Sequence, residues 1–178
     1  MSYLTENVLP FWLDNAVDYK NGGIFTCLDE DGSIYDKEKS VWFQGRALYI
    51  FSLAYNEVEK NAEYLKAAKN IFNFLPKCSD DNGRMAFIVT ETGEVIQKRR
   101  YYFSETFAAI GCAEYYLATG DEKAKDMAEA YFDIAYSIYK NPTLTVPKFN
   151  PETVKLHALS PAMILLSTSQ VLRKINKL

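Results

Sequence analysis

Apolar side chains recur at three- and four-residue spacings over six stretches of the chain, and that rhythm predicts six helices in three pairs. The first runs from about Thr5 to Tyr19, with Val8, Phe11, Trp12 and Ala16 on one stripe and Pro10 near its start. The second begins near Phe43 and carries Ala47, Ile50, Phe51 and Ala54 to about Glu59. Asn61 opens the third, whose stripe of Tyr64, Leu65, Ala68, Ile71, Phe72 and Leu75 is stopped by Pro76. A fourth starts after Ser104, read as its N-cap, and ends at Thr119-Gly120. Asp121 caps a fifth through Met127, Tyr131, Ile134 and Ile138, closed by Asn141-Pro142. The sixth opens with Ser160 as N-cap and Pro161 at the first helical position.

Between helices the period changes. Gly23 to Val41 reads as a short hairpin around Asp31-Gly32. Met85 to Gln97 repeats the idea, with Ala86-Phe87-Ile88-Val89, a Thr92-Gly93 turn and Val95-Ile96. The order is helix, insertion, helix, twice over, then helix, Pro-rich loop, helix. No linker or low-complexity segment divides it, so residues 1–178 are expected to form a single domain with its own core.

Composition narrows the function classes. A net charge of −3, with Lys98-Arg99-Arg100 as the only dense basic run, gives no case for nucleic acid. No apolar stretch approaches the roughly 18 residues that span a bilayer. The N-terminus has neither a basic start nor an apolar h-region, so no signal peptide and a cytoplasmic location are expected. Cys27, Cys78 and Cys112 are odd in number and not at metal-ligand spacing, and they read as reduced thiols. Asp29, Asp31 and Asp36 lack the Gly and distal Glu of a calcium loop, and Asp80-Asp81-Asn82-Gly83 reads as a turn. With no phosphate-cradling glycine loop and no metal motif, neither metal nor cofactor is expected. Aromatic residues, at 15%, suit sugar faces and equally suit the cores of helical hairpins.

Two blocks are more specific. One is Asn21 to Arg46, NGGIFTCLDEDGSIYDKEKSVWFQGR. The other is Arg99-Arg100-Tyr101-Tyr102-Phe103-Ser104-Glu105-Thr106-Phe107, followed by Cys112-Ala113-Glu114-Tyr115-Tyr116 and Thr119-Gly120. Together they resemble the N-acylglucosamine 2-epimerase family, sugar epimerases and isomerases with relatives acting on mannose and cellobiose. The resemblance runs from Val8 to about Arg173. It implies an all-α fold of helical hairpins from an (α/α)6 barrel, with short β-hairpin insertions. Family chains are roughly twice this length, so three hairpins are expected here: a half barrel, the N-terminal one.

In such a barrel the second, fourth and sixth helices are inner, and their N-termini open at one mouth. Arg46, Glu105 and His157 all fall there. Helix N-termini add positive potential that suits a developing enolate or alkoxide oxygen. The resemblance implies catalytic roles for Arg46 and His157 and a substrate contact for Glu105, while Trp42, Tyr102 and Phe103 read as stacking walls for a sugar ring. Blander readings stand beside these. Arg46 could pair with a carboxylate inside the bundle, and Glu105 sits where a helix dipole favours any acid. His157, the only histidine, could be structural, and the rings could be core.

The implied reaction is inversion at C2 of an acylated amino sugar, or a related aldose–ketose exchange, on N-acetylglucosamine, N-acetylmannosamine or a mannose-like sugar. Such chemistry needs an acid and a base on opposite faces with pKa values near the working pH. The family's two catalytic histidines are expected beyond this chain, and His157 matches an auxiliary one, so the chain alone is expected to be inactive. It is then a fragment, a half barrel that closes as a homodimer, or a degenerate sugar binder. A rival reading takes Glu114 to Tyr139 as a TPR-like interaction repeat, which the two insertions argue against. A six-hairpin glycosidase relative would need two flanking carboxylates, and no convincing pair is present.

Overall fold

The computed structural model describes residues 3–80, 82–98, 101–146, 150, 152–153 and 158–176. The first helical stretch has two parts, a π-helical turn at Leu4–Val8 that runs into α1, Leu9–Asn15. It stops four residues before the expected Tyr19 because Asp18 offers the backbone another arrangement. The Asp18 carboxylate accepts from the N–H groups of Lys20 and Asn21, each at 3.0 Å. Asp18 N–H then donates to Gly23 O, and Gly22 N–H to Asp18 O. This turn needs φ of 93° at Gly22 and 79° at Gly23, which explains the Gly-Gly pair.

The remaining helices follow the predicted stripes. They are α2, Val41–Leu53, extended by a π-helical turn at Ala54–Val58, and α3, Ala62–Phe74, extended by a 3-10 turn at Leu75–Cys78. Beyond the second insertion lie α4, Phe103–Thr119, α5, Glu122–Lys140, and α6, Ser160–Leu172. Asn61 and Asp121 cap α3 and α5 as expected, accepting from Glu63 N–H and Lys123 N–H. Gly120 ends α4 in the left-handed conformation. Two expected caps differ. Ser104 is already inside α4, and its hydroxyl donates to Ala86 O at 2.7 Å, tying the helix to the second insertion. Ser160 is the first residue of α6 and Pro161 the second, a shift of one position.

Both insertions form hairpins, and one link joins them. Strands β1 (Cys27–Leu28) and β2 (Ile34–Asp36) pair antiparallel around the Asp31-Gly32 turn. The first insertion then supplies β3 (Lys39–Ser40) to the hairpin of the second, β4 (Ile88–Val89) and β5 (Val95–Gln97), in the order β3-β4-β5. Strand periodicity gives each hairpin but not this partner, because pairing over some fifty residues leaves no local mark.

The hairpins form a curved row. Helix α2 lies along α4, and α4 also packs on α6, so α2, α4 and α6 form the inner layer while α3 and α5 cover it from outside. Burial follows this order. Helix α4 buries residues around most of its circumference, whereas α5 buries one stripe, Ala124, Ala128, Tyr131, Ala135 and Ile138. Gly45 and Gly111 lie where α2 crosses α4, and the backbones come very close there. A Cβ on Gly111 would fall 2.7 Å from Gly45 O, and one on Gly45 would fall 2.5 Å from the Phe107 carbonyl carbon. None of the described helices is long and apolar enough to cross a membrane.

Candidate functional site

The first two turns of α2 and α4 present one face together. Trp42 and Arg46 stand one turn apart on α2, and Phe103 and Phe107 stand one turn apart on α4. Trp42 lies 5.5 Å from Phe103 and 5.9 Å from Phe107 between ring centroids, and the Phe87 ring meets it edge-on at 5.2 Å. The Arg46 guanidinium lies over the Phe107 ring, 4.0 Å from its centroid. Arg46 is exposed, and Trp42, Phe103 and Phe107 are half-buried. The result is a slab of aromatic rings edged by a permanent cation at the N-terminal ends of two inner helices. Such a surface can stack a sugar ring and steady a partial negative charge on oxygen.

The residues beneath the slab fix its position. Gln44 is fully buried and exchanges two hydrogen bonds with the backbone of Ile24, donating to its carbonyl and accepting from its N–H, both at 2.8 Å. Asn70 on α3 reaches the same loop, donating to Asp18 O and Gly23 O. Lys39, one residue before the helix N-cap, is 0% exposed. Its ammonium donates to Asp18 Oδ2 at 2.7 Å, Gly22 O at 2.7 Å and Glu91 O at 2.8 Å. It also faces the rings of Phe25 and Phe74. All three donors of the ammonium are used, and they join both insertions to the turn after α1. Sequence reasoning missed Lys39 altogether. In Lys37-Glu38-Lys39 it reads as one of three surface charges, and its aromatic lid and carbonyl cage come from elsewhere in the chain.

Glu105 and Tyr102 do not join the open slab. Glu105 is 0% exposed; its Oε1 accepts from Arg84 Nε at 2.6 Å and from Met85 N–H at 3.1 Å. Its Oε2 has no hydrogen-bond partner among the described residues. Tyr102 packs with Ala135, Ile138 and Leu165 in a small core between α4, α5 and α6. Burial, with Tyr139 nearby, pushes the Tyr102 phenol up to about 12, so it is neutral under ordinary conditions. His157 lies outside the described residues. The structure thus brings together Arg46, Trp42 and Phe103 of the six expected site residues, and adds Phe107 and Phe87.

At the opposite end of the inner layer a second buried acid acts as a tie. Glu114 is 1% exposed; Oε1 accepts from Asn56 Nδ2 at 2.8 Å, and Oε2 from Lys174 Nζ at 3.4 Å. One carboxylate thereby links the chain just past α2, α4 and the turn after α6. No three His, Cys, Asp or Glu side chains among the described residues come together as a metal would require.

Comparison with known proteins places this arrangement. The profile of the N-acylglucosamine 2-epimerase (GlcNAc 2-epimerase) family matches residues 23–175. The N-acylglucosamine 2-epimerase of Bos taurus is 35% identical over 133 residues, which are 72% of this chain and 32% of that protein. The cellobiose 2-epimerase of Dictyoglomus turgidum is 30% identical over 143 residues, 78% of this chain and 36% of that one. Among solved structures, cellobiose 2-epimerase from Bacillus thermoamylovorans superposes with a TM-score of 0.84 at 22% identity, covering 99% of this chain and 50% of that one. The matched part is thus about a third of the curated relatives' own length and half that of the solved neighbour. This establishes the fold as helical hairpins of the α/α-barrel type, and it does not favour an interaction repeat.

Proposed function

The chain belongs to the N-acylglucosamine 2-epimerase family, and from that premise we propose that it is the N-terminal half of an (α/α)6 barrel carrying one wall of a sugar site. The observation that supports this reading best is the exposed Arg46 guanidinium over Phe107, beside Trp42 and Phe103, at the shared mouth of α2 and α4. A ring-opened N-acetylmannosamine or N-acetylglucosamine stacks on the rings and turns its carbonyl oxygen to Arg46. In a complete barrel, a base carried by the other half takes the C2 proton while the C2–H electron pair moves into the C1–C2 bond and charge collects on that oxygen. Arg46 and the helix N-termini stabilise it there. An acid on the opposite face of that complete site returns a proton to C2, which finishes the inversion with no net redox change. His157 is assigned an auxiliary catalytic role.

Within this reading Glu105 and Tyr102 serve the wall from behind. Glu105 holds the Arg84-Met85 segment against α4, and Tyr102 anchors the α4 N-terminus to α5 and α6. Inversion needs two opposed acid–base groups, and a single imidazole does not supply them, so the chain by itself binds sugar without turning it over. We assign it to cytoplasmic amino-sugar metabolism, with a small-molecule sugar and a second copy of itself as partners.

Saturation-transfer NMR with N-acetylmannosamine, N-acetylglucosamine and mannose tests the reading. Transfer to at least one sugar is expected, with loss in both Trp42→Ala and Arg46→Ala. C2 proton exchange in heavy water is expected to be absent. No transfer to any of the three, or transfer that survives both substitutions, would overturn the assignment.

A further inference from the structure

Residues Met85 to Val89 of the second insertion touch the start of both inner helices. Met85 N–H donates to Glu105 Oε1 at 3.1 Å, and Ala86 O accepts from the Ser104 hydroxyl at 2.7 Å, both on the first turn of α4. Phe87 O accepts at 3.0 Å from the N–H of Val41, the first residue of α2, while Ile88 and Val89 pair with Ser40 and Lys39. The N-cap residues of the two helices, Ser40 and Tyr102, make no side-chain cap bond. The segment therefore takes over part of the work of a cap and fixes Trp42 on α2 relative to Phe103 and Phe107 on α4. Met85, Ala86 and Val89 are buried in the core, whereas Phe87 is half-buried and its ring meets the Trp42 indole.

We propose that Phe87 is a positioning residue of the sugar site, holding the Trp42 indole at the angle that receives the sugar ring; the inference rests on the sugar reading above. The torsion that sets the plane of an indole has broad minima, so the plane is decided by what surrounds the ring. Phe103 and Phe107 meet Trp42 at tilts of 47° and 57°. Phe87 meets it at 84°, the edge-to-face geometry in which the positive edge of one ring is drawn to the negative face of another. Phe87 is itself anchored on two sides, its carbonyl accepting from Val41 and its N–H donating to Gln97 O at 2.7 Å. The second insertion thus orients a stacking ring that belongs to α2. Leucine at position 87 keeps an apolar filler but loses the aromatic edge, so it frees the indole without emptying the site.

Fluorine NMR on fluorotryptophan-labelled protein, with the three sugars titrated by saturation transfer, tests this role. Trp12→Phe leaves Trp42 as the single indole, and every sample carries it. The parent is expected to give one sharp line. Phe87→Leu is expected to fold by circular dichroism, to broaden or split that line, and to weaken sugar binding about three- to tenfold, the change that one aromatic pair implies. Phe87→Met carries the same comparison should leucine prevent folding. Phe87→Tyr keeps the ring and is expected to restore both line and affinity. Val95→Ala, on the other strand of the same hairpin and 39% exposed, is expected to leave both unchanged. Full affinity in Phe87→Leu, affinity lost with the line still sharp, no rescue by Phe87→Tyr, or an equal loss in Val95→Ala would each overturn the positioning role while the sugar reading stands. A parent that binds none of the three sugars overturns the sugar reading and this role with it.

Discussion

Gln44 and Ile24 are joined as two strands would be, the side-chain amide of one donating to and accepting from the backbone of the other at 2.8 Å in both directions. The contact assigns different work to neighbouring residues of one motif. In Gln44-Gly45-Arg46 the first pins the Gly22-Gly23 turn, the second lets α4 approach, and only the third reaches solvent. Replacing Gln44 with Leu keeps the volume and leaves two buried backbone groups of Ile24 unpaired. Each costs about 1–3 kcal/mol, so Gln44→Leu is expected to lower stability by about 3 kcal/mol in urea titration. A change near zero would mean the turn finds other partners.

Gly45 is expected to be intolerant even of alanine. Alanine gains about 1 kcal/mol of helix propensity over glycine. Its Cβ, however, would lie 2.5–2.7 Å from the Phe107 and Ala108 backbone, which no rotamer can relieve. Overpacking of this kind costs about 1–3 kcal/mol or more, so Gly45→Ala should lower the thermal midpoint. The paired change Gly111→Ala acts at the same crossing, and the double variant should depart from additivity. Equal melting of parent and variant would show that the helices can separate without cost.

How much of this was legible in the sequence depended on how local the determinant was. The stripes of α3 and α5, the Asn61 and Asp121 caps and the Gly120 stop depend on neighbours within a turn, and all were readable. The first helix was read too long because Asp18, which ends it, also fits a helix exterior; only the turn geometry reveals its role. Trp42 was read just ahead of a helix beginning near Phe43; α2 begins at Val41, and only that earlier start puts Trp42 and Arg46 one turn apart on the same helix. That Phe107 and Phe87 complete the slab depends on how α2 meets α4 and on the β3–β4 pairing, neither of which has a sequence period. Glu105 was placed correctly in the first turn of its helix, but spacing cannot tell a carboxylate that faces the mouth from one that turns back toward Arg84.

Arg46 and Glu105 should therefore separate binding from stability. The Arg46 guanidinium is exposed and lies over the Phe107 ring, an arrangement worth about 0.5–1 kcal/mol. Arg46→Met is expected to abolish sugar binding with little change in the thermal midpoint. Glu105→Ala should do the reverse in the unfolding assay, since removing one partner of a buried pair costs about 3–5 kcal/mol, less what Arg84 recovers from solvent. A stable Glu105→Ala variant that had lost binding would move Glu105 from support to contact.

Thiol labelling should be selective. Burial pushes Cys78 up to about 12 and Cys112 further still, so neither offers a thiolate, and both are fully enclosed. Cys27 is half-buried on β1 and open to reagent. Iodoacetamide on the folded chain should add a single label, mapped to Cys27 by mass spectrometry, and three after denaturation. Early labelling of Cys78 or Cys112 would show that the α3–α4 region opens readily.

Lys39 and Asp18 predict an acid-sensitive fold. Burial alone would raise the Asp18 carboxyl, but hydrogen bonds from the Lys39 ammonium and from Asn21 outweigh it and hold it below its ordinary 3.8. A carboxylate depressed by folding contributes stability that is complete above its unfolded pKa and lost as pH falls through the folded value. Lys39 is lowered by burial against the pull of Asp18, so its strain eases only as pH rises toward 10.5 and leaves the acid side untouched. Removing Lys39 alone strands a buried carboxylate, and Lys39→Met should cost about 3–5 kcal/mol at neutral pH. The double variant Asp18→Leu/Lys39→Met removes both charges together and should recover part of that loss. Its thermal midpoint should then fall less steeply than the parent's between about pH 4 and pH 2. Parallel acid slopes for parent and double variant would show that this pair does not set the acid limit.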